Sequence, residues 1–153
     1  MNKIIFYIVC IIFSISSTKA QSISLLFAGD AMQHQAQLDD AKMHDNSFYY
    51  DNNFDLIKDE VTSADIAVVN FETTLGGAPY RGYPAFCSPD EFAISLKKCG
   101  FDLFLTANNH CLDRGSKGVF RTVEVLDSLN IKHIGTYKSK QERDTEYPLI
   151  IRK

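Results

Sequence analysis

The sequence has no excess of positive charge. Its 153 residues include 16 lysines and arginines against 19 aspartates and glutamates, which gives a formal net charge of −3. Nucleic-acid binding needs a basic footprint, so this balance argues against nucleic acid as a partner. Glycine and proline are sparse, at 8 and 4 residues, and tryptophan is absent. Repeats, low-complexity tracts and linkers rich in Pro, Gly or Ser are also lacking, which indicates one continuous domain.

The four cysteines include no Cys-x-x-Cys pair, so the sequence gives no signal of a zinc knuckle or a thioredoxin-like redox motif. Cys10 lies in an N-terminal apolar run, which leaves Cys87, Cys99 and Cys111. An oxidising compartment would permit a disulfide, for example between Cys87 and Cys99. Because Cys99 continues the apolar face of a predicted helix, we expect buried free thiols instead.

The N-terminus has the features of a cleavable secretory signal. Lys3 precedes an apolar run over residues 4–13, and the small-x-small sequence Thr18-Lys19-Ala20 precedes Gln21. The run is too short to cross a bilayer as a mature helix. We therefore predict a signal peptide over residues 1–20 and export to the periplasm, cell surface or medium, with membrane contact only through this segment. Its removal takes two lysines and no acid, which changes the net charge from −3 to −5.

Short apolar runs recur along the rest of the chain. They cover residues 23–28, 66–69, 101–106, 131–135 and 149–151. Each is rich in Val, Ile, Leu or Phe and does not alternate with polar residues, which predicts strands buried on both faces. The segments between them have helical spacing. This order of strands and helices predicts an α/β fold with a mostly parallel sheet and helices outside it.

Apolar residues at intervals of three to four positions predict the helices. They are Phe54, Ile57 and Val61; Phe92 and Leu96; and Val119, Val123 and Leu126. Ser88-Pro89-Asp90-Glu91 predicts a helix start, with Ser88 as the N-cap, and Gly100 predicts the end of that helix. Ser139 and Glu142 have the spacing of a capping box before a further helix.

The last apolar run, residues 149–151, resembles the opening of another strand just before Lys153. About 130 mature residues are enough to build one core. The strand and helix pattern nevertheless breaks off in the middle of a repeat. We therefore expect residues 21–153 to form one domain that is truncated at its carboxyl end.

Polar residues cluster where three of the predicted strands end. The clusters are Gly29-Asp30-Ala31-Met32-Gln33-His34, Asn70-Phe71-Glu72-Thr73 and Asn108-Asn109-His110-Cys111-Leu112-Asp113. Parallel strands place their carboxyl ends at one edge of the sheet, which is where ligands bind in open α/β folds. We therefore expect these three clusters to converge into a single site.

The converging side chains offer carboxylate, amide-oxygen and imidazole ligands. Asp30, Glu72, Asn109 and His110 form a set suited to Mn²⁺, Fe, Zn²⁺ or Mg²⁺ and unlike a thiolate cage. Metal-assisted hydrolysis of a phosphoester needs a carboxylate able to bridge ions and an imidazole near the developing negative charge. The residue types therefore predict a divalent metal as cofactor and a phosphoester as substrate.

Three motifs in order give a more specific resemblance. Gly29-Asp30-Ala31-Met32, Ala67-Val68-Val69-Asn70-Phe71-Glu72-Thr73 and Ala107-Asn108-Asn109-His110-Cys111-Leu112-Asp113-Arg114-Gly115 resemble the CapA family. This is the bacterial capsule-synthesis, poly-γ-glutamate group of the calcineurin-like metallophosphoesterase superfamily. The resemblance implies a four-layer α/β/β/α sandwich, of which this chain holds the first part. It also implies an exported protein that acts in the synthesis, attachment or release of an anionic extracellular polymer.

The resemblance also implies roles for individual residues. Asp30 corresponds to the first metal aspartate and Glu72 to the carboxylate at the bridging position. Asn109 and His110 resemble the pair in which the amide ligates metal and the imidazole faces the substrate, so His110 is the candidate catalytic residue. His34, Asn70, Asn108 and Asp113 are candidates for contact with the substrate or for support of the ligands.

The chain departs from the superfamily pattern at several positions. Met32 stands where the first motif usually has histidine, with His34 two residues later, and Glu72 replaces the usual aspartate of the second motif. Cys111 follows the motif histidine where an acid is common. The later histidine motifs that complete a two-metal site are absent from this sequence. These differences weaken the case that this chain alone is catalytic.

Several of these residues also have structural interpretations. Asn108 and Asn109 tolerate left-handed turns, and we expect Asn108 to be structural and Asn109 functional. Asp113 is expected to cap a helix that starts near Gly115. Tyr49, Tyr50, Tyr80 and Tyr83 flank the site loops and could line a polymer groove, although loop packing explains them more simply.

Two functions from different classes therefore remain open. One is a metal-dependent hydrolase or transferase of a cell-surface polymer. The other is a non-catalytic module that keeps the fold to bind polymer or other capsule-assembly proteins. Metal content and turnover distinguish them.

Overall fold

The computed structural model describes residues 22–152. The predicted signal peptide, residues 1–20, lies outside the described residues. Between residues 22 and 152 the chain forms a four-stranded parallel sheet, with strand order β1-β2-β3-β4, and five α-helices. The predicted α/β fold with a parallel sheet is confirmed, and the architecture is consistent with a partial metallophosphoesterase-like fold.

The elements are close to those predicted, with shifted boundaries. In chain order they are β1 Leu25–Ala31, α1 Gln35–Ala41, a 3-10 turn Asp55–Ile57, α2 Lys58–Ser63, β2 Ile66–Phe71, α3 Asp90–Cys99, β3 Leu103–Leu105, α4 Gly115–Ser128, β4 Lys132–Ile134 and α5 Lys140–Glu146. The predicted strand over residues 149–151 is wrong, because these residues pair with no strand of the sheet. Helix α1 was not predicted, since its buried residues are only Leu38 and Ala41.

One face of the sheet carries the core. Val69, Phe71 and Phe104 of the strands pack with Phe92 and Leu96 of α3 in one buried cluster. The rings of Phe71 and Phe104 lie 5.2 Å apart between centroids. Right-handed crossovers between strands in sequential order place all connecting helices on the same face of a sheet. The main buried cluster therefore forms on that face.

Strand β1 is not buried on both faces, which contradicts the prediction. Its residues alternate, with Leu25 53% exposed and Phe27 68% exposed, while Leu26 and Ala28 pack against the core. The exposure of Leu25 and Phe27 shows that residues 22–152 leave this face of β1 largely uncovered.

Helix α3 shows how local sequence defines an element. Asp90 and Glu91 lie in its first turn and Lys97 and Lys98 in its last, which suits the helix dipole. Its N-cap is Pro89 rather than the predicted Ser88, and the predicted stop at Gly100 is confirmed. In α5 the predicted cap is also confirmed, because the Ser139 side chain accepts a hydrogen bond from the Glu142 N–H.

The cysteines agree with the expectation of free thiols. No disulfide joins Cys87, Cys99 or Cys111, and the side chains of Cys87 and Cys99 are buried. Burial raises the pKa of the Cys99 thiol. A raised pKa reduces the reactive thiolate, so Cys99 is a small core residue rather than a redox group.

Replacement of Gly100 by alanine is expected to lower the free energy of unfolding by about 1–2 kcal/mol. Gly100 has a φ of 117°, and an added Cβ would lie 2.8 Å from Thr62 Cγ2. Gly29 is a matched control, because a Cβ there meets no atom within 4 Å. Urea unfolding of the two variants tests this, and an equal effect of both substitutions would contradict it.

Candidate functional site at the carboxyl edge of the sheet

A bulge in β1 places Asp30 beside Asn70. The pairing of β1 with β2 runs regularly from Leu25 to Ala28, shifts by one residue, and then pairs Asp30 with Asn70. Without the shift, Gly29 would pair with Asn70 and Asp30 would lie on the opposite, helix-covered face. A bulge redirects a side chain in this way. Asp30 therefore joins Asn70 on the face of the sheet that carries the exposed Phe27, opposite the main buried cluster.

The side-chain amide of Asn70 lies between two carboxylates. Its Nδ2 donates to Asp30 Oδ1 at 2.8 Å and to Glu72 Oε2 at 2.6 Å. Its Oδ1 accepts from Asn108 Nδ2 at 3.2 Å. This arrangement connects the ends of β1 and β2 with the turn after β3, which are the three places where polar clusters were predicted to meet.

The two carboxylates lie close together, since both accept from Asn70 Nδ2. Burial raises the pKa of Glu72 above its usual value, and the negative charge of Asp30 and a hydrogen bond with Asp30 raise it further. The hydrogen bond from Asn70 and the positive charge of His110 act in the opposite direction. The pKa of Glu72 is therefore raised, because burial and Asp30 outweigh Asn70 and His110.

A turn after β3 positions His110. Asn108 accepts a hydrogen bond from the His110 N–H at 3.1 Å through Oδ1 and donates to the carbonyl of Phe71 at 3.0 Å. Asn108 therefore supports the turn, and its contact with a substrate stays a prediction. Its contacts fix the turn to the end of β2.

The ring of His110 is held by Asp113 and Phe86. His110 Nδ1 lies 2.7 Å from Asp113 Oδ2. Both side chains are mostly buried, with 15% of His110 and 14% of Asp113 exposed. The ring of Phe86 contacts the imidazole edge-to-face at a centroid distance of 4.6 Å. Because Nδ1 is engaged by Asp113, Nε2 is the nitrogen that remains for a substrate.

Asp113 does not cap a helix, which corrects the sequence expectation. The N-cap of α4 is Arg114, and the Asp113 carboxylate instead accepts from the Phe86 N–H at 2.6 Å while it contacts His110. No sequence signal connects Phe86 with this turn, because Phe86 lies in the long segment between β2 and α3, 27 residues before Asp113. The sequence therefore did not predict the hydrogen bond between Phe86 and Asp113.

The predicted site residues fall into two groups. The contacts above join Asp30, Asn70, Glu72, Asn108, His110 and Asp113 into one cluster, which we call the carboxyl-edge cluster. Asn109 is in the same turn but is exposed, and its side chain bonds to no other residue of the described chain. His34 is exposed and packs against Phe86 at a centroid distance of 5.5 Å and Tyr83 at 6.3 Å. Phe86 lies between His34 and the cluster, because its ring also contacts His110.

The donor set suits a hard divalent cation, although it is small. Asp30 and Glu72 offer convergent carboxylates, and asparagine oxygens lie in the adjacent turn, which is the chemistry that Mg²⁺ and Mn²⁺ prefer. Residues 22–152 contain no group of three or more His, Cys, Asp or Glu side chains arranged to hold a metal ion. Amide oxygens or ligands from outside this part of the chain would therefore have to complete a coordination shell.

Comparison with known proteins identifies the family of this chain. Residues 24–153 match the family model described as bacterial capsule synthesis protein PGA_cap. The uncharacterized proteins y4sH and y4uA of Sinorhizobium fredii (strain NBRC 101917 / NGR234) are each 32% identical over 97 residues, which is 58% of this chain and 21% of theirs. The chain thus spans about a fifth of the length of these curated relatives. Within residues 22–152 there is no helix with the length and apolarity to cross a membrane. Because the family match covers nearly the whole chain, the protein belongs to the bacterial capsule synthesis family PGA_cap, the CapA group that its motifs resemble.

Proposed function

We propose that this chain is an exported capsule-synthesis protein that acts on an anionic capsule or cell-surface polymer through a metallophosphoesterase-like site. The observation that carries the proposal is the carboxyl-edge cluster. Asp30 and Glu72 share the Asn70 amide, and their negative charges oppose each other beside a positioned histidine. Such a pair of acids is costly without a positive partner, so the cluster is suited to bind Mn²⁺, Fe, Zn²⁺ or Mg²⁺.

The side chains of the cluster have different roles in phosphoester cleavage. Asp30 and Glu72 would hold the cation, with Asn109 as a further ligand, while Asn70 and Asn108 keep the carboxylates and the turn in place. When bound, the cation supplies Lewis-acid stabilisation of charge on the phosphoryl oxygens. In the hydrolysis a water molecule forms the new bond to phosphorus while the bond to the departing oxygen breaks, and His110, oriented by Asp113, would protonate that oxygen through Nε2.

One observation favours the alternative, a non-catalytic module that binds polymer or other capsule-assembly proteins. The described chain lacks a group of three His, Cys, Asp or Glu ligands. The two functions make different demands on Asp30. The enzyme requires its charge, whereas a binding module does not require any metal ligand.

The Asp30→Asn variant distinguishes the two functions. We expect the purified chain to retain stoichiometric metal after dialysis against Mn²⁺ and to hydrolyse bis(p-nitrophenyl) phosphate, and Asp30→Asn to lose both properties. Asp59→Asn is the matched control, because Asp59 is an exposed acid in the first turn of α2, away from the cluster. Elemental analysis and release of p-nitrophenol are the measurements. If the unsubstituted chain binds polymer but holds no metal and shows no turnover, the protein is the non-catalytic binding module and not the enzyme.

A further inference from the structure

The segment between β2 and α3, residues 72–89, is long and is buried at both ends. We call it the β2–α3 connection. Connections of more than about 12–15 residues are uncommon in compact domains, and most connections lie on the surface. Six residues of this one are nevertheless no more than 3% exposed, namely Thr73, Thr74, Leu75, Phe86, Cys87 and Ser88. Buried backbone has to pair its polar groups, so the contacts of these residues indicate what the connection does.

The two ends of the β2–α3 connection are bonded to each other. The hydroxyls of Thr73 and Ser88 lie 3.0 Å apart, and the Ser88 N–H donates to the Thr74 carbonyl at 2.9 Å. The Thr74 hydroxyl donates to the carbonyl of Phe86 at 2.8 Å, and this hydrogen bond is buried. Because Thr74 follows Glu72 by two residues, these bonds fix Phe86 relative to an acid of the carboxyl-edge cluster.

Phe86 in turn contacts both members of the Asp113–His110 pair. Its N–H donates to Asp113 Oδ2 at 2.6 Å, and His110 Nδ1 lies 2.7 Å from that same oxygen. Its ring meets the imidazole edge-to-face, with 4.6 Å between the centroids and 78° between the planes. Phe86 therefore holds the imidazole in two ways, through the oxygen that both contacts share and through the ring.

These contacts form one continuous path from the end of β2 to His110. Thr74 holds the Phe86 carbonyl, the Phe86 N–H holds the Asp113 carboxylate, and that carboxylate holds His110 Nδ1. A shift of Phe86 would move its N–H and its ring together. A misplacement of about 1 Å in such supporting groups can lower a rate by about a hundredfold.

We propose that Phe86 is a positioning residue for His110, and that the Thr74 hydroxyl holds Phe86 where its N–H and its ring orient the imidazole. The effect on turnover rests on the proposed function, because it assumes that His110 transfers a proton. The orientation of the imidazole does not depend on turnover, so the two proposals can fail separately.

Thr74→Val and Thr74→Ser test the orientation of His110. Valine has the shape of threonine without the hydroxyl, so it leaves the Phe86 carbonyl without its donor, whereas serine keeps the hydroxyl. NMR of the ¹⁵N-labelled chain in EDTA detects the Nδ1–H proton of His110, which a hydrogen bond to Asp113 shifts downfield and protects from exchange with water. We expect this resonance in the unsubstituted chain and in Thr74→Ser, and its loss in Thr74→Val.

Turnover gives a second measurement on the same variants. With Mn²⁺ and bis(p-nitrophenyl) phosphate, kcat of Thr74→Val should fall about tenfold at unchanged KM, and Thr74→Ser should behave as the unsubstituted chain does. Thr122→Val is the matched control. The Thr122 hydroxyl accepts from the Leu75 N–H at 2.9 Å, so valine removes a buried hydrogen bond of the same connection that does not involve Phe86. This control should lose stability but keep the Nδ1–H resonance and kcat per folded molecule.

The inference is overturned if the unsubstituted chain shows no Nδ1–H resonance, if Thr74→Val keeps it, or if Thr122→Val loses it equally. If Thr74→Val does not fold, Phe86→Leu keeps the N–H and removes the ring. It should keep the resonance and lower kcat about tenfold, and an unchanged kcat overturns the positioning by Phe86. Loss of the resonance in Thr74→Val, in a chain that hydrolyses nothing, refutes only the phosphoesterase. Hydrolysis together with an unchanged resonance in Thr74→Val refutes only the positioning.

Discussion

Glu72→Gln is expected to stabilise the cation-free chain at neutral pH and to abolish its stabilisation by divalent cations. In the folded chain, burial and the charge of Asp30 make the ionised form of Glu72 unfavourable. Glutamine removes that charge but keeps an oxygen that can accept from Asn70 Nδ2, and its amide can donate to Asp30. The substitution therefore relieves repulsion without leaving Asn70 unpaired.

The pH dependence has a definite sign. A carboxyl whose pKa is raised on folding binds its proton more tightly in the folded state than in the unfolded state. Glu72 therefore contributes stability at low pH, below its ordinary value of 4.5, and this contribution is lost as the pH rises through the raised value. The advantage of Glu72→Gln should be absent at about pH 3.5 and appear as the pH increases.

Cations should reverse the order of stability. Mn²⁺ at one hundred times its dissociation constant would stabilise the unsubstituted chain by about 2.7 kcal/mol, provided that it binds only the folded state. Glu72→Gln lacks the second carboxylate and should gain little. Thermal unfolding between pH 3.5 and 8, with EDTA or with Mn²⁺, measures both effects. Glu60→Gln, an exposed acid on α2, is the control and should behave as the unsubstituted chain does.

Two results would contradict this account. If Glu72→Gln is less stable than the unsubstituted chain at pH 7 in EDTA, then Glu72 is not repelled by its surroundings. If the variant responds to Mn²⁺ as strongly as the unsubstituted chain, then the cation binds elsewhere.

The convergence of the three polar clusters could be predicted because it follows from topology. Parallel strands in sequential order bring the ends of β1, β2 and β3 to one edge, whatever the details of packing. The hydrogen bonds from Asn70 to Asp30 and from Asn108 to Asn70 are the result. Apolar runs of Val, Ile, Leu and Phe were sufficient to locate four of the strands, although β3 and β4 are shorter than predicted.

The orientation of individual side chains could not be predicted in the same way. The bulge that turns Asp30 toward Asn70 depends on a shift of one residue in pairing, which the apolar pattern does not reveal. The partner of Asp113 depends on the course of the segment between β2 and α3. The exposure of Phe27 depends on which layers cover the sheet, and a strand sequence alone does not show this. Helix α1 presents too few apolar residues for its periodicity to be recognised.

Asp113→Ala is expected to have the largest combined effect on stability and turnover. The Asp113 carboxylate accepts from the Phe86 N–H and contacts His110 Nδ1, so alanine leaves two polar groups without their acceptor. The loss of such charge-assisted hydrogen bonds should lower the free energy of unfolding by about 2–3 kcal/mol. Because the imidazole also loses the group that fixes its orientation, phosphodiester hydrolysis per folded molecule should fall by about a hundredfold or more.

Asp113→Asn separates the two consequences. Both contacts are made by the same oxygen, Asp113 Oδ2, so the amide oxygen of asparagine can replace both but without the negative charge. The stability of the variant should therefore lie between those of the unsubstituted chain and Asp113→Ala. Urea unfolding gives the stability, and turnover below the unfolding transition gives the activity. Asp59→Ala controls for the loss of an exposed acid. A hundredfold loss of turnover in Asp113→Asn with little loss of stability would identify the negative charge beside His110 as the function of this carboxylate. If both Asp113 variants are destabilised but turn over normally, Asp113 only connects the loop to the turn, and His110 does not need it for proton transfer.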